Sequence, residues 1–468
     1  MKRILCFALA MLLVSMLSVG CAVEEVNESS ALVSTESVES SKTESVESSE
    51  AESLLESSLE VEAESSSEAE ESSSEAEESS DAVSKEESKE ESKEESKEES
   101  KEESKEESKE ESKEESKEES KEESKEESEE VSEDEPVEEP KLTLTQVNTV
   151  ANENFVNLSA FKGFLDNSER FALVPGLSEN TVPQGIGRNP ETGYTYISSY
   201  FNESGKASVI TVLDGDGKFV AEYFVYNQDG TPFTGHMGGI CVTEDYLYFS
   251  GPSVGNYYSV VEFALDDLPK SGSHNITIGA TVALPIHTSY LFYDSGILWV
   301  GTFYLAGSYD LGKYFNFKTA NAEGTQYGGY AAAFVLDGEE KRLTVKSGES
   351  YAVPSFVLAT PDKVQGFAYK DGKVCLSKSY GRNNNSTLEY FKIDPENTDK
   401  TITVDGKTYP LTVLDKTNRR MTVTAMCMTE GITLDASGRV MVLFESAAKK
   451  YYNSKNPTDY IWTTKFYG

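Results

Sequence analysis

Five stretches of the chain place apolar and polar residues in the same order. They are 184–198 (QGIGRNPETGYTYIS), 236–250 (HMGGICVTEDYLYFS), 287–301 (HTSYLFYDSGILWVG), 365–377 (QGFAYKDGKVCLS) and 430–444 (EGITLDASGRVMVLF). Each reads as a short strand, a turn and a second strand. Apolar runs at 207–213, 258–265, 330–336 and 387–393 follow as third strands, and 219–226, 276–284, 352–358 and 421–426 as fourth strands. A four-stranded unit returning every ~50–80 residues is expected to be a propeller blade. The fifth unit finds third-strand material at 460–466, and then the chain stops. The run RFALV at 170–174 precedes the first unit and can supply the missing outer strand. Closing a ring with strands from both ends of the chain leaves no open sheet edge. The pattern therefore predicts an all-β fold, a five-bladed β-propeller. The alternative, a six-bladed ring, needs 153–166 or the stretch after Phe303 to form a sheet of its own.

That pattern begins only near residue 141. Of the net charge of −41, −35 falls on residues 1–140 and −6 on 141–468. The acidity thus belongs to a tail, and nothing basic argues for nucleic acid. Lys2 and Arg3 precede an apolar run from Ile4 to Leu17, followed by Ser18-Val19-Gly20-Cys21. This is a secretory signal, too short for a comfortable membrane span. It resembles the bacterial lipoprotein signal, which implies lipidation at Cys21 and a membrane anchor there. Ordinary secretion, with cleavage nearby, is the alternative. Residues 21–140 are mostly Ser, Glu, Ala, Val and Lys, with SKEE repeated without a break from Ser84 to Glu127. Like charges four residues apart disfavour a helix, and nothing apolar is present to bury. The segment reads as a charged spacer, able to reach up to about 400 Å when extended and nearer ~60 Å as a coil. The division is thus 1–20 signal peptide, 21–140 disordered spacer and 141–468 propeller. The expected setting is the outer face of a bacterial membrane, with the protein as a monomer.

Candidate chemistry gathers where the inner strands begin. Relative to the apolar residues Ile186, Ile240, Leu291, Phe367 and Ile432, the residues two positions earlier are Gln184, Gly238, Ser289, Gln365 and Glu430. Two positions earlier again stand Val182, His236, His287, Lys363 and Met428. Strand side chains alternate, so both tiers point the same way, toward one mouth of the channel. The chain has 3 His, and two of them occupy equivalent places on neighbouring blades. The loops between second and third strands should rise around this mouth. They carry Tyr309 in the aromatic stretch 303–329, Arg382 in YGRNNNS, and Glu445 with Lys449 and Lys450 in ESAAKKYY. Aromatics with Asn, Arg and carboxylates around a funnel fit a sugar or another small polar molecule. The bland reading is that Gln184 and Gln365 cap backbone groups of the next blade. A His/His/Glu set can hold zinc, but the three residues come from separate blades with no local spacing signature, so no metal is assigned and any cofactor is unknown. His274 is expected in a surface loop. Cys241, Cys375 and Cys427 sit in or beside strand patterns and are expected to be buried free thiols.

The units QGIGRNPETGYTYI and EGITLDASGRVMVL resemble the blades of NHL, gluconolactonase-like and virginiamycin-B-lyase-like propellers over residues 184–468. The resemblance implies the architecture. In gluconolactonase-like proteins, channel carboxylates and Asn hold a divalent cation; only Glu430 and Asn383 match by type, so the cation is not carried over. The lyase-like group uses channel His and Glu, which agrees by type with His236, His287 and Glu430. The leading expectation is a surface lipoprotein whose propeller binds a small polar ligand or glycan fragment at the channel mouth. The alternatives are a hydrolase or lyase using His236, His287 and Glu430, and a protein-binding adhesion domain.

Overall fold

The computed structural model describes residues 141–468, apart from residues 310, 337, 340, 396 and 399. The signal, Cys21 and the SKEE spacer lie outside the described residues. Five four-stranded antiparallel blades form a propeller. From the inner strand outward, the first blade is Thr181–Arg188, Thr195–Phe201, Val209–Leu213 and Phe219–Tyr226. The second is Ile240–Val242, Tyr246–Ser250, Tyr258–Ala264 and Ala280–Leu284; the third is Tyr290–Asp294, Ile297–Gly301, Gly329–Val335 and Phe356–Thr360. The fourth is Val364–Lys370, Lys373–Lys378, Ser386–Lys392 and Arg419–Ala425. The fifth has Thr429–Leu434, Val440–Phe444 and Tyr460–Thr464 from the end of the chain, and Ser168–Leu173 from its beginning.

Turn chemistry sets the inner hairpins. Ser295-Gly296 and Asp371-Gly372 each hold two consecutive residues at positive φ, as a two-residue hairpin turn of type I′ requires. In the first and fifth blades, Asp214 and Asp435 accept backbone N–H bonds from residues two and four ahead, which closes each connection as a turn.

Two features were not foreseen. The expected fourth strand 276–284 is two strands: Ala280–Leu284 stays in the second blade, whereas Gly272–Thr277 crosses to pair in parallel with Phe219–Tyr226 of the first. His274 therefore lies in an edge strand rather than a loop, with Nε2 2.7 Å from the Ser271 carbonyl. The expected strand 352–358 forms further on, at Phe356–Thr360. It is extended in parallel by Lys407–Val413, which brings its hairpin partner Lys400–Val404 along. An edge strand pairing through its backbone needs no strong hydrophobic period, so neither addition stood out.

No sixth blade forms among the described residues. Residues 153–166 make two short 3₁₀ turns and one helical turn, and bury Phe155, Phe161 and Phe164. Phe164 packs against Phe444 and Trp462 of the fifth blade at centroid separations of 6.3 and 5.9 Å. Apolar cores lie between adjacent sheets; between the third and fourth blades Trp299 sits 5.0 Å from Phe367. The N-terminal strap is held by two buried carboxylates. Glu222 accepts the amides of Thr143 and Leu144 at 2.7 and 3.1 Å, and Asp459 those of Thr149 and Val150 at 2.6 and 2.9 Å. The three cysteines are free and buried.

Candidate functional site

The starts of three inner strands share one irregularity. Pairing slips between Pro183 and Gly185, between Val364 and Gly366, and between Thr429 and Ile432. The residues left over are Gln184, Gln365 and, in the third case, one within the Glu430-Gly431 pair. A bulge re-aims a side chain that regular pleating would direct elsewhere. The three bulges lie on consecutive blades, the fourth, fifth and first, so their polar side chains converge. The Gly after each polar residue explains the motif. A Cβ at Gly185 would stand 2.6 Å from the Gly238 carbonyl oxygen, and one at Gly431 2.9 Å from the Gly185 Cα. The inner strands therefore touch backbone to backbone, which only glycine permits. Serines stitch the ring on the same face. Ser198 and Ser377, on second strands, donate to the carbonyls of Met237 and Glu430 of the next blade, both at 2.6 Å.

Glu430 and Glu445 form the heart of the cluster. Glu445 directly follows the strand Val440–Phe444, and its amide bonds the Met428 carbonyl at 3.1 Å. Their carboxyl groups are hydrogen-bonded to each other and keep only 4% and 8% of their surface exposed. Gln365 Nε2 donates to Glu430 Oε1 at 3.0 Å, and Gln184 Nε2 donates to Glu445 Oε2 at 3.1 Å. Two carboxyls that bond each other must hold a proton between them. Burial first, and then the neighbouring Glu445, push Glu430 well above the usual carboxylate range. Burial raises Glu445 to about 7; the hydrogen bonds from Glu430 and Gln184 and the charge of Lys450 limit the rise.

His236 does not touch a carboxylate of this pair directly. Its ring stacks on Tyr200 of the first blade, with centroids 4.1 Å apart and planes 3° from parallel. Tyr200 in turn accepts a 2.6 Å bond from Lys450 Nζ, whose charge stands 5.4 Å over the Tyr451 ring and acts on Glu445. His236 is thus linked to the carboxyl pair through Tyr200 and Lys450. His287 repeats the arrangement one blade on, 3.8 Å from the Tyr258 ring of the second blade. The His236 residue stays exposed and His287 half-buried. Partial burial of the rings lowers both imidazole pKa values, and Lys450 lowers that of His236 further, so both rings are neutral at pH 7.

Other expected residues disperse. Arg382 stands 4.8 Å over the Tyr451 ring and bonds Asn453, next to the cluster. Lys449 turns away to the Ser178 carbonyl, while Lys450 occupies the mouth. Both lie in one 3₁₀ turn, Lys449–Tyr451, where successive side chains face different ways. Tyr309 is 54% exposed and sets its edge on Phe303, with no contact to the carboxyl pair. Most aromatics of the long loop 303–329 are core: Phe315 and Phe317 pack on Tyr330, and Tyr314 stacks on Tyr257. Tyr200 and Tyr451 were missed as site residues, although aromatics stand at or just past several second strands (SSYF, TFYL, SKSY). Among the described residues no group of three His, Cys, Asp or Glu is arranged to hold a metal ion.

No family model and no curated protein matches the chain. Solved structures do. An oxidoreductase described as a glucose dehydrogenase, from Thermus thermophilus, aligns at 14% identity and a TM-score of 0.34, over 63% of this chain and 98% of that one. A PQQ-bound aldose sugar dehydrogenase from Streptomyces coelicolor aligns at 14% identity and a TM-score of 0.36, over 64% and 97%. A GH43_1 enzyme from Xanthomonas citri aligns at 10% identity and a TM-score of 0.35, over 66% and 93%. At these values the likeness carries no argument about this chain's chemistry. The chain is a five-bladed β-propeller on its own geometry, and it resembles other propeller proteins in architecture.

Proposed function

We propose that this protein is a cell-surface lipoprotein, anchored through Cys21, whose propeller binds a small polar ligand, a glycan fragment, at the channel mouth. The observation that carries the reading is the convergence of Gln184, Gln365, Glu430 and Glu445 from three bulged blade edges, beneath Tyr200, His236 and Arg382. Bulges that turn amides and carboxyls toward one spot suit recognition of hydroxyl groups by several donors and acceptors at once. The test is titration calorimetry of the protein against a panel of mono- and oligosaccharides. Binding that Glu430→Gln abolishes, with the melting temperature preserved, supports the reading. Binding untouched by that change, or no binding across the panel, refutes it.

The raised pKa values of the carboxyl pair favour a second reading, a hydrolase or lyase. A carboxyl still protonated near neutrality can donate, and a neutral imidazole at His236 or His287 can accept. Turnover of glycosides or lactones with a pH profile governed by Glu445 distinguishes this reading from simple binding.

A further inference from the structure

We propose that the ligand of this mouth is an acidic glycan, one whose sugar rings bear carboxylates, and that an arc of alternating cations and tyrosines recognises it. The inference rests on the mouth being the ligand site. Inner-strand starts and second-strand ends share one face of the ring, as the pairs Thr181↔Phe201, Val364↔Lys378 and Thr429↔Phe444 show. On that face Lys318 stands 5.4 Å over the Tyr304 ring, and the Tyr304 carbonyl accepts the Lys363 amide at 2.9 Å. The Lys363 ammonium stands 5.4 Å over Tyr380, itself 48% exposed. Arg382 lies over Tyr451, and Lys450 lies over both Tyr451 and Tyr200, at 4.8, 5.4 and 4.9 Å. The arc thus runs from the third blade through the fourth and fifth to the first.

Among the described residues none of these four cations forms an ion pair, whereas Arg342, Arg439 and Lys407 elsewhere on the propeller do, as does Lys378 on the same face. Toward the Lys318 end lies half-buried Asp362, whose Oδ1 accepts the Gly328 amide at 3.2 Å and which feels Lys318, Lys378 and Lys363. A domain of net charge −6 that leaves four cations unpaired along one rim has concentrated its positive potential there. The carboxyl pair at the base of the mouth shares a proton and so offsets about one of these four charges near neutrality. The exposed ring of Tyr380 can take the C–H face of a sugar ring, and ammonium or guanidinium groups take carboxylates through charge-assisted bonds. A single-stranded nucleic acid would use the same two devices, but the acidic remainder of the domain repels a long polyphosphate chain.

The experiment is calorimetry on the protein with galacturonate, glucuronate and muramate oligosaccharides, each beside the same sugar with its carboxylates converted to amides. A poly-deoxythymidine oligomer is measured alongside. The acid forms should bind about 10- to 100-fold more tightly than the amides, and more weakly as salt rises. The double variant R382Q/K450M should lose a similar factor at an unchanged melting temperature; if it fails to fold, K363M should lose part of that factor. Equal binding of acids and amides, with sensitivity to E430Q, overturns the acidic-glycan inference and leaves the mouth as ligand site. Acid binding indifferent to Arg382, Lys450 and Lys363 also overturns it. Equal binding of the oligonucleotide shows a general polyanion surface and overturns it too. No binding of either form overturns both this inference and the reading beneath it.

Discussion

Changing Glu445 to glutamine should stabilise the propeller at alkaline pH and flatten its pH dependence. Glu445 is 8% exposed and bonded to the carboxyl of Glu430, and burial raises its pKa from 4.5 to about 7. A carboxyl whose folded pKa lies above its unfolded value contributes stability that is fully present below the unfolded value. That contribution is lost as pH rises through the folded one. The window here runs from about pH 4.5 to about pH 7, and 2.5 pKa units at 1.36 kcal/mol each amount to about 3 kcal/mol. A domain of roughly 330 residues has an unfolding entropy of about 0.7 kcal/mol per degree, so the loss corresponds to ~4 °C. Glutamine keeps an acceptor for Gln184 and a donor for Glu430 without ionising. Differential scanning calorimetry of wild type and E445Q at pH 5, 6.5 and 8 is the assay. The difference between the two proteins is what counts, because Asp294 and Asp362, also raised by burial, act equally in both. Wild type should lose about 4 °C more than E445Q across the series. Parallel curves would refute the claim that a proton is held between the two carboxyls.

Three further outcomes are expected, two from the geometry and one from the sequence. Gly431→Ala forces a methyl to within 2.9 Å of backbone atoms Gly185 Cα and Ile186 N, and should cost about 1–3 kcal/mol, read as a lowered denaturation midpoint. Asp459→Ala strands the amides of Thr149 and Val150; it should cost about 1–3 kcal/mol and speed protease cutting between residues 141 and 167, seen by mass spectrometry. Cys21→Ala should release the protein from the membrane fraction or leave its signal uncut, and unchanged membrane association on immunoblots would count against the lipid anchor.

The ring was legible in the sequence because each blade repeats one hydrophobic period and one turn. The closing strand was legible too: an orphan third strand at 460–466 needed a partner, and 170–174 was the apolar run left over. The structure places that strand at Ser168–Leu173, with a bulge after Arg170. The polar residues before the inner strands were visible as QG, QG and EG. The reason for the glycine, backbone contact between blades, was not, because it depends on the curvature of the whole ring. Glu445 was identified as a rim residue, but its partnership with Glu430 was hidden. That pairing arises from the bulge, which a strict alternation of two cannot express. Lys449 and Lys450 could not be separated by pattern, since a single 3₁₀ turn decides which of them faces Tyr200. The crossed strand Gly272–Thr277 and the hairpin from Lys400 to Val413 escaped because edge strands owe their place to backbone pairing, not to an apolar face.

The strap that begins at Lys141 has a mechanical consequence. Any pull carried by the preceding chain enters the domain there and meets Glu222 of the first blade, then Asp459 at the edge of the fifth, before it reaches the Ser168–Leu173 ladder. The load path therefore runs in series through two sequestered anchor points and ends on the clasp of the ring. Under shear from flow or a moving surface, yielding would begin by unbuckling the circumference rather than by shedding a blade. The polar mouth, built from the fourth, fifth and first blades, straddles that seam, so the proposed ligand site and the tensile strength of the ring share one joint.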